Sequence, residues 1–248
     1  MDKIPLETSG EESQIRFRDC FSVRYIQSAA VLCRLAHRIE KEHSDPARSG
    51  TPGPELLLRH EAFVLNSVLS SVAFLESTIN ELYADASDDA YFFADTEHEA
   101  LLRAISDGWH NEKNFDRAPT MNKYQKILEI VGLSPFDERD QAFVNVRQLI
   151  EIRNHLMHYK REWVVIHETR FPGSSEGSTS DKFEKILRKK FAINPFSAGN
   201  LPFFPDQCLG HGCAEWAVVN SIIFTDAFFR RLGLPAPYEG IRDDLVTR

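Results

Sequence analysis

The stretch "ELLLRHEAFVLNSVLSSVAFLESTINELYA" (residues 55–84) sets the fold class. Leu58, Leu65, Val68, Leu69, Val72, Leu75, Ile79 and Leu82 recur at intervals of three, four and seven, the spacing that lines one face of an α-helix. Thirty residues without Pro or Gly predict one long helix. It is preceded by "SDPARSGTPGP" (44–54), whose Pro and Gly spacing no helix tolerates, so that segment reads as a loop.

The same period extends in both directions. Residues 13–42 place Ile15, Cys20, Phe21, Tyr25, Ile26, Ala29, Leu32, Cys33, Ala36 and Ile39 on a repeating apolar face, predicting another long helix. A shorter helix is expected over about 96–108 from an N-cap at Asp95. "NFDRAPT" reads as a linker, and "MNKYQKILEIVGL" as a short helix stopped by Gly132 and Pro135. A further long helix is predicted from near Asp137 to about Val165. Then come the small polar stretch 169–181, a basic helix at 181–191, the Pro/Phe-rich "INPFSAGNLPFFPDQCLGHG" (193–212) and a last helix over 212–232, before a polar tail. Alternating strand patterns are nearly absent, with "EWVVIHETRF" (162–171) as the one ambiguous place. The expected architecture is an all-α bundle in a single domain over 1–248. Its core lies at about 13–165 plus the last helix, with irregular loop insertions, the larger at about 166–211.

The totals exclude several classes. The chain has 248 residues, 42% hydrophobic and 27% charged, which is a globular composition. No uninterrupted apolar run reaches the roughly 18 residues a membrane span needs, so no membrane contact is expected. The polar, acidic start carries no leader-like apolar segment. Four cysteines are too few for a disulfide scaffold, and reduced thiols in a cytoplasm are expected. The net charge of −8 argues against nonspecific coating of nucleic acid, so any such contact must use a local patch. The basic candidates are Arg153 with Lys160 and Arg161, and the run Lys182, Lys185, Arg188, Lys189, Lys190.

"IEIRNHLMHYK" (150–160) concentrates one arginine, one asparagine and two histidines in six residues. At about 100° per residue, Leu149, Ile152, Leu156, Tyr159 and Trp163 form a core stripe. Glu151, Asn154, His155, His158 and Glu162 fall opposite it, with Arg147 in register. Asn154 and His158 are an i,i+4 pair, and the long side chain of Arg153 reaches the same surface. A solvated helix face and a site both fit this spacing. Histidine titrates near neutrality and arginine is a fork for phosphate, so a site here suits phosphoryl chemistry.

Other motifs are weaker. Cys208, His211 and Cys213 in "CLGHGC" have ligand chemistry, but zinc sites need four donors and no second pair such as C-x2-C occurs. A glycine-rich turn leading into a helix with Cys213 packed is the preferred reading, and neither metal nor cofactor is expected. Ser174 to Ser180 lack a nucleophile-elbow context, and no phosphate-cradling glycine loop is present.

The segment "RNHLMH" (153–158) resembles the R-x4-6-H motif of the HEPN superfamily, with asparagine after the arginine as in most of its ribonucleases. "SSVAFLESTINELY" (70–83) is similar to that family's preceding long helix, and the likeness covers about 55–165. It implies a HEPN-type helical bundle, a homodimer in which two motif helices build a composite site, and metal-independent endoribonuclease activity on RNA. Products would carry a 2′,3′-cyclic phosphate and a 5′-hydroxyl. In this reading His158 is the general base or acid, Arg153 holds the scissile phosphate, and Asn154 orients either. Glu76 or Glu151 supports Arg153, while Lys160, Arg161, Lys185, Arg188 and Lys189 guide RNA. The resemblance further implies a toxin or anti-phage defence effector with an antitoxin or defence-system partner. The family's toxins often extend the motif to H-x-Y; here tyrosine follows directly as Tyr159, so that regulation is not transferred. The alternative is a non-catalytic helical module that binds nucleotide, RNA or a protein partner.

Overall fold

The computed structural model describes residues 19–43, 52–87, 98–111, 115–160 and 178–248. The protein is all-α, and no strand occurs among the described residues. Seven α-helices are described: α1 Phe21–His43, α2 Pro54–Ser87, α3 Glu99–Asn111, α4 Thr120–Ile130, α5 Gln141–Met157, α6 Thr179–Leu187 and α7 His211–Leu232. Short 3₁₀ turns at Phe115–Arg117 and Glu239–Leu245, and a kinked turn at Phe203–Gln207, complete the elements of the described residues.

α2 is the axis of the bundle, packing against α1, α3, α4, α5 and α7. That explains its apolar composition: a helix enclosed on several sides buries more than one stripe. Val64, Val68, Val72, Phe74, Leu75 and Ile79 are fully buried, each worth ~1.5–3 kcal/mol in removed apolar surface. By length and composition α2 also meets the criterion for a membrane span, but half of its most apolar stretch is buried inside the bundle. Leu58, expected in the buried stripe, is 66% exposed, because it lies in the second turn of α2.

Local chemistry sets several boundaries. α4 ends at Gly132, whose φ of 75° is open to glycine at little cost; Leu133 N–H donates to Leu128 O and Gly132 N–H to Glu129 O. α5 begins at Gln141 and not near Asp137, because the Asp137 carboxylate accepts the Arg139 N–H and folds 137–140 into a turn. α6 spans 179–187 instead of 181–191, since Ser178 caps it by accepting from Asp181 N–H at 3.2 Å. The N-cap expected at Asp95, Ile15 of the first stripe, and most of the 44–54 loop lie outside the described residues. Cys20 and Phe21 are exposed at the start of α1, while Ile26, Ala29, Cys33, Ala36 and Ile39 are buried.

The described part of the segment expected as the larger insertion supplies Phe183, Leu187, Phe203, Phe204 and Cys208 to the same buried cluster as the helices. "CLGHGC" owes its glycines to a chain crossing. A Cβ on Gly210 would sit 2.7 Å from Asn194 Cα, and one on Gly212 would strike the Ala192 backbone. Cys208 Sγ–H donates to Pro205 O, His211 Nε2 meets Thr247 O at 3.2 Å, and Cys213 is fully buried. Burial pushes the Cys33 and Cys213 thiols up to about 12. No group of three or more His, Cys, Asp or Glu among the described residues has metal-ligand geometry.

One buried polar node joins three helices. Glu40 Oε1 on α1 accepts from the His211 N–H at 2.6 Å, supplying the N-terminus of α7 with an acceptor that its glycine cap lacks. The same oxygen lies 2.7 Å from His60 Nε2 of α2, a ring only 3% exposed. Beside this node the Thr247 hydroxyl and the Arg248 guanidinium donate to the Glu215 carboxylate.

These groups give the fold an acid dependence. Burial, then His211, Arg248 and Lys41, hold His37 below its usual 6.5. Its depressed folded value means that the unfolded chain binds the proton more readily, so stability falls as pH drops below 6.5. The hydrogen bond from Arg248 holds Glu215 below its usual 4.5, against the opposing effect of burial. Its contribution is present above 4.5 and is lost as pH falls through the lowered value. The urea midpoint is therefore expected to decline in two steps on acidification. His37→Gln should remove the upper step and Glu215→Gln the lower.

Candidate functional site

The site stands at the last turn of α5. Val146, Leu149 and Ile152 are fully buried and seat that helix on the core. α5 stops at Met157; the backbone of His158 takes φ −117° and ψ 37°, and its N–H donates the final helical bond to Asn154 O at 3.0 Å. The helix expected to run to Val165 thus ends eight residues earlier, and Glu162 and Trp163 lie outside the described residues. Tyr159, assigned to the core stripe, follows the helix end and is 54% exposed, because the helical period no longer applies beyond His158.

Asn154 and His158 are both exposed. Arg153 is half-buried and reaches across to α2, where Nη2 donates to Glu76 Oε2 at 3.3 Å. With Glu76 about half exposed, this ion pair is worth roughly 0–1 kcal/mol, enough to orient the guanidinium without consuming its other donors. Glu151 does not approach Arg153; it pairs with Lys182 of α6. Arg147 is exposed, 3.9 Å from Glu138.

α6 covers part of the polar face that the spacing left open. The ring of His155, expected at the surface or an interface, meets Phe183 edge-on at 5.1 Å and Phe204 at 6.3 Å. Phe183 and Phe204 are themselves buried and 4.7 Å apart. Helical period locates a polar face but not what packs on it.

The basic residues divide into two sets. Lys160, Lys185 and Lys189 are exposed. Arg188 pairs with Glu184 at 2.6 Å and lies over the Phe203 ring, Lys182 is paired with Glu151, and Lys190 donates to Asn145 Oδ1 beside the Trp216 ring. Burial lowers the Lys190 ammonium pKa. Arg161 lies outside the described residues.

A polar network near the site was not read from the sequence. Asn145 Nδ2 donates to Asn220 Oδ1 at 2.6 Å, Gln141 donates to Asn145, and Asn220 donates to Trp216 O. It ties α5 to α7. Its only sequence signal is a pair of asparagines on otherwise buried faces, visible once both helices are phased.

The arrangement presents a titratable imidazole, an amide and an oriented guanidinium within six residues, at an exposed helix end. Such a set can exchange a proton and hold an anionic phosphate. No family model, curated protein or solved structure matches the chain.

Proposed function

We propose that the protein is a HEPN-like, metal-independent endoribonuclease acting in the cytoplasm as a toxin or defence effector. The observation that carries this reading is the oriented Arg153, held by Glu76 beside exposed Asn154 and His158. His158 takes the proton from the RNA 2′-hydroxyl as that oxygen attacks the adjacent phosphorus. The P–O5′ bond breaks, leaving a 2′,3′-cyclic phosphate, and the departing oxygen takes a proton to become a 5′-hydroxyl. Arg153 neutralises the charge building on the phosphate, and Asn154 orients it. Base and acid are two separate duties, which a homodimer meets with one His158 from each subunit. Exposed Lys160, Lys185 and Lys189 supply the local attraction that a net charge of −8 otherwise denies to RNA.

A second reading has its own support: Glu76 already neutralises Arg153, which suits a non-catalytic module whose polar face docks a partner or nucleotide. Induced expression in a bacterial host separates the two. The wild type should arrest growth and His158→Ala should restore it. Equal growth of both strains, at equal protein levels, would favour the non-catalytic module.

A further inference from the structure

The final turn of α5 carries the proposed reacting groups, and among the described residues few of its side chains are buried. Asn154, Met157 and His158 are exposed, and the helix ends at His158, not at a glycine. Helix ends with few buried contacts open at small free-energy cost. Only Leu156 and His155 in this turn are partly buried. The imidazole of His155 fits against two buried rings, Phe183 at 86° and Phe204 at 74°. Those rings are anchored in turn, because the Phe204 N–H donates to Ser180 Oγ and Lys182 pairs with Glu151 one turn before the site.

We infer that His155 is the positioning residue of this site: it fastens the last turn of α5 to α6 and the Phe203–Gln207 turn, so that Asn154 and His158 are presented at fixed separation. It acts through packing and exchanges no proton with substrate. Its neighbours in sequence make this economical. Asn154 precedes it and His158 lies three residues on along the same face, so one contact there steadies both. As a role in catalysis the inference rests on the ribonuclease reading; as a restraint on His158 it stands alone.

The test uses the full chain with His155→Ala and His155→Phe, the latter keeping an aromatic ring but no titratable nitrogen. Hydrogen exchange at the Met157 and His158 amides and the His158 ring resonances are followed by NMR. Cleavage of a labelled single-stranded RNA in EDTA is run in parallel. His155→Ala should speed exchange at both amides by about tenfold, the loss of two aromatic contacts. It should also shift the His158 ring signals and lower kcat more than it raises KM. His155→Phe should restore all three. Unchanged exchange and ring signals in His155→Ala would overturn the inference, as would a His155→Phe variant that behaves like alanine. Altered exchange and ring signals with no cleavage by the wild type would leave the positioning role standing and remove the ribonuclease reading.

Discussion

Replacing His158 with alanine is expected to lower kcat for RNA cleavage by roughly 10²–10⁴-fold, the usual contribution of a positioned acid or base. Stability should stay within about 0.5 kcal/mol of the wild type, as at other exposed surface positions. The imidazole is exposed at the helix end, and only the His158 backbone, which alanine retains, makes the closing hydrogen bond to Asn154. Loss of rate without loss of fold therefore separates chemistry from structure. Arg153→Ala should reduce kcat by about 10²–10³-fold through lost charge stabilisation. Arg153→Lys should recover little of it, because an ammonium cannot reproduce the planar fork that meets both Glu76 and a phosphate. Single-turnover kinetics with excess enzyme check all three variants. A His158→Ala enzyme that keeps wild-type rates would remove His158 from the mechanism.

The largest expected effect on stability lies elsewhere. Glu40→Ala should cost about 1–3 kcal/mol, the range for leaving a buried hydrogen-bonding group without its partner. The substitution strips the acceptor from His60, whose ring is 3% exposed, and from the His211 N–H at the start of α7. A folded domain is stable by only about 5–15 kcal/mol, so such a loss is a sizeable fraction of the total. Glu40→Gln should lose much less, since its amide oxygen still accepts from the same donors while surrendering the charge that faces the helix N-terminus. Urea denaturation of the three proteins gives the comparison. A loss below about 1 kcal/mol in the alanine variant would show that the node is not a principal tie between α1, α2 and α7.

Much of the bundle was legible because its helices obey a single period. Val68, Val72, Leu75, Ile79 and Leu82 of α2, and Leu149 and Ile152 of α5, are buried where three-four spacing put them. Leu58 and Tyr159 were misread for one reason: the period assigns a face, but a residue near or past a helix end is not enclosed by the neighbours that bury that face. Nothing in 153–165 announces the stop at Met157, since neither Gly nor Pro occurs there. The docking of α6 was illegible too. Lys182 meets Glu151 across 31 positions, and Phe183 reaches His155 only after the chain has returned. The node at Glu40 depends on His60, 20 residues away, and His211, 171 away, and no local pattern marks any of the three. The motif residues themselves were visible as a composition; the partner of Arg153 required the packing of α5 on α2.

The most direct test of the central claim is incubation of the purified protein with labelled RNA in EDTA, with chemical analysis of the product ends. The account predicts cleavage that leaves a 2′,3′-cyclic phosphate and a 5′-hydroxyl, abolished in His158→Ala and Arg153→Ala. No cleavage by a folded dimer across single-stranded and structured RNAs, or cleavage that survives both substitutions, would contradict it.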